Sequence, residues 1–276
     1  MEDILTNPSP EALVKAVEDN IADQFAYFGR SPRAEIADTP QWLRYRSGIP
    51  IAEYNGVVRA HFPVDISPDA LSSAIQQAID YFAGHRQSFL WRVGPSTSLP
   101  HFAAQLSAGG LTHAEDEPGM AMPLDKLSEE RPTPSGLTIV AVRDETSLRD
   151  WVSVAGKGYG EGVDILAARL AVHQDLDLGD NLPLRRYVAY LDGQAVAMSA
   201  LFLGAGVAGV YEVATVADAR RRGIGTAITT APLLHARKLG YRIGVLQASP
   251  MGIGIYTRLG FRQVCAFASY SWECAQ

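Results

Sequence analysis

A strand, a basic glycine turn and a helix follow one another directly between Val210 and Thr230, and few folds accommodate that run. The stretch Val210 to Val216 is rich in β-branched and aromatic residues, which predicts a buried strand. From Ile224 the pattern predicts a helix running towards Gly240. Between them stands Arg220-Arg221-Arg222-Gly223-Ile224-Gly225. In such a turn, backbone N–H groups and a helix N-terminus point at one spot, which suits a phosphate. The glycines permit close approach to the backbone, and the arginines add charge for a polyanion.

Two common phosphate loops are excluded by spelling. A Walker loop needs Gly-Lys-Ser/Thr, whereas Gly225 is followed by Thr226 and Ala227; a dinucleotide fingerprint needs a third glycine. A second segment follows: a predicted strand over 242–249, then Gly252, Gly254 and Tyr256, closed by Leu259-Gly260-Phe261. Arg-x-x-Gly-x-Gly after a strand, then Tyr-x-x-x-Gly-Phe closing a short helix, resembles the GNAT superfamily of acyl-CoA-dependent N-acyltransferases. The resemblance is specific over about residues 137–276. It implies an α/β (α+β) GNAT fold, a mixed central sheet flanked by helices, and acetyl-CoA as cosubstrate.

Composition bounds the partners. The net charge of −6 argues against a nonspecific nucleic-acid binder. No apolar run is long enough for a bilayer, and the start of the chain lacks a signal-peptide pattern. Two cysteines, Cys265 and Cys274, fit a reducing cytosol, so a cytoplasmic location is expected. No histidine spacing suggests a metal, and Asp175 to Asp180 fails as a calcium loop because Arg186 stands where a bidentate glutamate is needed. Oligomeric state stays open, a homodimer being one option. Charge is uneven: residues 1–136 hold 10 Lys/Arg against 18 Asp/Glu, and residues 137–276 hold 14 against 12.

The order of parts repeats along the chain. Ser9-Pro10-Glu11 and Ser67-Pro68-Asp69 are helix starts. Turns are expected at Ser47-Gly48 and, as a hairpin, at Asn55-Gly56. A strand near 88–93, a helix near 100–108 and Gly109-Gly110-Leu111 then mirror the strand, short helix and Leu259-Gly260-Phe261 of the second half. The N-terminal half is therefore read as a degenerate GNAT-like domain over 1–126. A Pro-rich linker spans 127–136, and a GNAT acetyltransferase domain spans 137–276. The loop from His61 to Pro68 lacks glycine, and Leu106 stands where Tyr256 does. Pro232 should kink or shorten the loop helix.

The resemblance assigns roles to positions. The amides of Arg221, Arg222, Gly223, Ile224, Gly225 and Thr226 would hold pyrophosphate, with Arg220 at the first motif position. The backbone of Val213, Ala214 and Thr215 would pair with the pantetheine arm. Ser249 stands where the family often has asparagine, and Tyr256 where it has its general acid. Two readings stand for Glu212, an acid in an apolar strand: a general base, or a partner for a backbone group or an arginine. His173 and His235 are weaker candidates for the base. Tyr159, Glu161 and Asp164, between two predicted helices, are candidate contacts for a cationic amine acceptor. The implied function is acetyl transfer from acetyl-CoA to a primary amine of a small molecule. The alternatives are a non-catalytic acyl-CoA-binding regulator and a protein N-acetyltransferase whose N-terminal half docks a partner.

Overall fold

In a computed structural model, residues 3–97, 99–129 and 133–274 are described; residues 130–132 of the expected linker lie outside them. The chain opens with α1 (Pro10–Tyr27). Ser9 caps it, accepting from the Ala12 N–H at 3.2 Å, with Pro10 in the first turn. The strands β1 (Glu35–Asp38), β2 (Leu43–Arg46) and β3 (Asn55–Val58) form an antiparallel meander. Then come α2 (Pro68–Gly84), capped by Ser67, β4 (Phe89–Val93), α3 (Phe102–Ala108) and β5 (Thr112–Pro123). The second half runs β6 (Leu137–Ala141), α4 (Glu145–Tyr159), α5 (Val163–Asp175), β7 (Leu184–Leu191), β8 (Gln194–Gly204) and β9 (Val207–Thr215). It ends with α6 (Ile224–Lys238), β10 (Ile243–Gln247), α7 (Ile253–Leu259) and β11 (Arg262–Trp272).

Asn55-Gly56 is not the expected hairpin turn. Both residues lie inside β3, and the connection from β2 runs over residues 47–54. Asn55 organises that loop from its end: it accepts from the Ser47 N–H at 3.1 Å and donates to the Ile49 and Ile51 carbonyls at 2.8 and 2.6 Å. Gly56 is required by close approach, since a Cβ there would collide with the Leu90 carbonyl of β4. The pair that signals a tight turn in sequence here serves a longer loop and a strand contact.

Pro232 does not break α6, which continues through it to Lys238. Proline lacks the N–H that would bond the Ile228 carbonyl. The Ser199 hydroxyl of β8 donates to that carbonyl instead, at 2.8 Å.

All eleven strands form one sheet in the order β1-β2-β3-β4-β11-β5-β10-β9-β8-β7-β6. Each half contributes an antiparallel meander followed by one parallel pair, β3 with β4 and β9 with β10. The last strands cross the sequence halves: β11 lies between β4 and β5, and β5 lies between β11 and β10. One shared core under α1, α4 and α5 includes Phe25, Tyr45, Trp151, Val188 and Phe267. On the opposite face α6 and α7 cover Ile228, Leu246 and Phe261, while α2 and α3 cover Phe82, Trp91 and Leu106. Strand residues alternate between these cores, as a pleated sheet requires: Val245 faces the shared core and Leu246 the other. Among the described residues no helix is long and apolar enough to cross a membrane, and no group of His, Cys, Asp or Glu could hold a metal ion.

Candidate active site

The parallel pair β9/β10 is joined only at Ala208↔Gly244 and Gly209↔Val245, although β9 runs on to Thr215 and β10 to Gln247. Beyond Gly209 the two strands part. The cause lies in β9. Glu212 and Val213 stand opposite the single residue Ser199 of β8, and Glu212 adopts φ 53°. A non-glycine residue in that region costs about 1–3 kcal/mol and persists only where its surroundings hold it. The bulge turns β9 away from β10, leaving the backbone of Val213 to Thr215 with an open edge on that side.

At the end of this gap sits the glycine turn. Gly223 is the N-cap of α6 at φ 80°, and no side chain caps the helix, so the first-turn N–H groups have no intrahelical partner. A Cβ on Gly225 would meet nothing closer than 3.5 Å, so there is room beside the backbone. Arg221 and Arg222 are exposed. Arg220 instead folds back, donating to the Thr215 carbonyl at 3.0 Å and the Gly158 carbonyl at 3.1 Å. It braces the turn against the end of α4.

A cavity of about 650 Å³ opens along the gap on the α1 face. Val213, Ser249 and Tyr256 line one end. The Ser249 carbonyl accepts from the Gly252 and Ile253 N–H groups at 2.9 and 3.1 Å, which sets the start of α7. Tyr256 is buried, packs edge-on against Phe261 at 6.0 Å, and its hydroxyl has no hydrogen-bond partner among the described residues. Burial pushes its phenol up to about 12, so the proton stays on through the physiological range.

Glu212 sits in a buried network that spans both halves. The Arg169 Nη1 donates to Glu212 Oε1 at 2.8 Å and to the Tyr54 hydroxyl at 2.6 Å, and the Tyr54 hydroxyl itself donates to Glu212 Oε1. Arg169 also donates from Nε to Glu161 Oε2 at 3.0 Å and pairs with Glu161 Oε1. Its side chain is fully buried. Burial works against the guanidinium charge, but Tyr54, Glu212 and Glu161 overcome it and hold Arg169 protonated more firmly than usual. Glu212 Oε2 is buried with no partner, beside the cavity.

Behind this network Arg186 Nε donates to His173 Nδ1 at 2.8 Å, so the His173 proton is on Nε2. Burial, then Arg186 and Arg169, push His173 well below its usual range. His173 does not line the cavity, and His235 is held by Tyr187 at 2.6 Å on the far face. Neither faces the site. Of the candidate acceptor contacts, Tyr159 and Glu161 line the cavity, with the Glu161 carboxylate committed to Arg169. Asp164 is exposed in the first turn of α5 and does not line it. Sequence reasoning missed Tyr54, Arg92, Glu117, Arg169 and Gln247, all of which line the cavity. Arg169 carried a signal: it is a lone charge among Leu166, Ala167, Ala168, Leu170, Ala171 and Val172.

The N-terminal half has a corresponding cleft. Its parallel pair is joined only at Gly56↔Leu90 and Val57↔Trp91, and Arg59 there has φ 54°. A cavity of about 770 Å³ lies beside it. Glu18 of α1 closes its inner end, accepting from the Ser96 N–H at 2.9 Å and the Ser96 hydroxyl at 2.8 Å. Among the described residues no glycine turn or buried phenol lines it, so the groups suited to acyl chemistry gather in the second half.

A mixed sheet with one splayed parallel pair in each half is the tandem form of the GNAT fold. Residues 184–263 match the acetyltransferase (GNAT) domain, so the second half carries a GNAT acetyltransferase domain and the first half repeats its fold. The chain is similar in structure to a GCN5-related N-acetyltransferase from Kribbella flavida, with 20% identity, 92% of this chain and 95% of that one covered, and a TM-score of 0.69. It is similar to a GCN5-related N-acetyltransferase from Sphaerobacter thermophilus, with 15% identity, 87% and 76% covered, and a TM-score of 0.62. A tandem GNAT protein from the clavulanic acid biosynthesis pathway aligns over 99% of this chain and 98% of its own, with 13% identity and a TM-score of 0.59. No curated protein matches the chain significantly.

Proposed function

We propose that this protein transfers an acetyl group from acetyl-CoA to a primary amine of a small molecule by direct attack. One observation carries the reading: an open strand edge, a buried phenol and an unpartnered carboxylate oxygen surround one cavity, whose gap ends at an uncapped helix N-terminus. The amides of Arg221 to Thr226 would hold the pyrophosphate, with Arg221 and Arg222 supplying charge and Arg220 bracing the turn. The edge of Val213 to Thr215 would pair with the pantetheine arm as an added strand and aim an N–H at the thioester carbonyl. Ser249 adds a polar contact at the cavity wall. Acetyl-CoA supplies an acetyl group activated by a thiol leaving group.

The chain's own groups then manage protons. An amine arrives as ammonium and needs to lose a proton before attack. Glu212 Oε2 is the acceptor of a hydrogen bond from it, with Oε1 fixed by Arg169 and Tyr54. Tyr256 donates to the departing sulfur. Its phenol, near 12, lies about 3–4 units above an ordinary thiol, so full transfer would cost about 5 kcal/mol; the hydroxyl acts first as a hydrogen-bond donor. In this reading the two halves work as one unit, because Tyr54 of the first half fixes the carboxylate of the second.

Calorimetric titration with acetyl-CoA and with CoA tests the placement. Gly223→Asp adds a side chain where φ is 80° and a negative charge in the cradle, and should abolish binding that wild type shows. Wild-type protein that binds neither compound would refute the acetyl-CoA reading.

A further inference from the structure

The cavity extends well past Tyr256, and its far end is built by the N-terminal half. Across the sheet, β9, β10, β5, β11 and β4 are successive neighbours. Each places at least one polar residue on the α1 face, and five of these are Glu212, Gln247, Glu117, Ser269 and Arg92. All but Ser269 line the cavity. Several are left open. Both polar atoms of the Gln247 amide and Glu212 Oε2 are buried without a partner. Glu117 accepts from the Ser269 hydroxyl at 3.3 Å and forms no ion pair among the described residues. Arg92 is 7% exposed, and its hydrogen-bond partners are neutral: the Tyr45 hydroxyl, and the Glu53 carbonyl at 3.0 Å.

A buried guanidinium without a counter-charge is costly, and a ligand carboxylate on it restores the balance. A plain diamine could set its second ammonium on Glu117 but would bring no anion to Arg92. A zwitterionic head suits both Arg92 and Glu117. Paired strands lie about 4.8 Å apart, and β9 has already parted from β10 at Glu212, so the Glu117 and Glu212 strands are separated there by more than about 10 Å, with the open Gln247 amide between them. We propose that the acceptor is an amine with an amino-acid head. Its carboxylate sits on Arg92, its α-ammonium on Glu117, and a second amine further along reaches Glu212 and Tyr256. This deepens the amine-acyltransferase reading and rests on it for the reacting end alone.

The test is equilibrium binding to the full-length protein in the presence of CoA. L-ornithine and L-lysine are compared with putrescine and cadaverine, which lack only the carboxylate. The amino acids should bind at least tenfold tighter, and Arg92→Met should reduce that preference to below threefold. Gln247→Leu should weaken both amino acids at least threefold while keeping the preference. Wild-type protein that binds the diamines as tightly, or binds none of the four, overturns the proposal whatever the variants do. A tighter amino acid with no thiol release from acetyl-CoA would uphold the head-group site and sink the acyl-transfer reading instead.

Discussion

Tyr256 and Glu212 occupy opposite chemical positions at one cavity. The phenol keeps its proton because burial raises it, whereas the carboxylate stays available because one oxygen is fixed and the other is free. Tyr256→Phe should therefore lower kcat by about 10–100-fold while leaving the acetyl-CoA Kd within about twofold. Steady-state thiol release and calorimetry on the same variant check both halves of that statement. His173 carries a pH signature. Its pKa is depressed in the folded chain, so the unfolded chain binds the extra proton below about pH 6.5. Its contribution is fully present above that pH and is lost as pH falls towards the folded value. His173→Asn keeps an acceptor for Arg186 without titrating. The wild-type minus variant stability difference should shrink by up to about 1.4 kcal/mol per pH unit below 6.5, read by urea unfolding.

Among the elements, α6 shows how a local rule is overridden by a distant side chain. The carbonyl freed by Pro232 is buried and satisfied by Ser199. Ser199→Ala should cost about 1–3 kcal/mol by orphaning it, and adding Pro232→Ala should recover most of that by supplying an N–H. The double-mutant cycle in urea gives the coupling directly. The same element shows what sequence could carry: strand, glycine turn and helix are local, so their succession and the place of the helix N-terminus were legible. The Tyr256 helix and its closing glycine were legible for the same reason. Asn55-Gly56 misled because its meaning depends on the Leu90 carbonyl, 34 residues away. The network around Glu212 was illegible because Tyr54 and Arg169 come from two other elements, separated from it by 158 and 43 residues. Arg220 matched the motif, but nothing local tells that its side chain turns back to Gly158.

At the scale of the molecule, β11 is held on both sides by strands of the first half, and β5 reaches β10 of the second. Neither half has a closed sheet without the other. Fragments 1–126 and 137–276 expressed alone should lack a cooperative melt by circular dichroism, and the intact chain should show one transition whose calorimetric and van 't Hoff enthalpies agree. The repeat of parts was visible in the sequence, but the exchange was not, because either pairing buries the same alternating faces.

Two separate copies trading a final strand in this way would form a dimer, and a dimer comes apart on dilution. Here the connection between the halves fixes the partner's effective concentration, whatever the amount of protein in the tube. The cavity walls furnished by Tyr54 and Arg92 thus come with the chain itself. A site that draws on both halves of one chain can then keep its shape in a cell that holds only a few molecules of it.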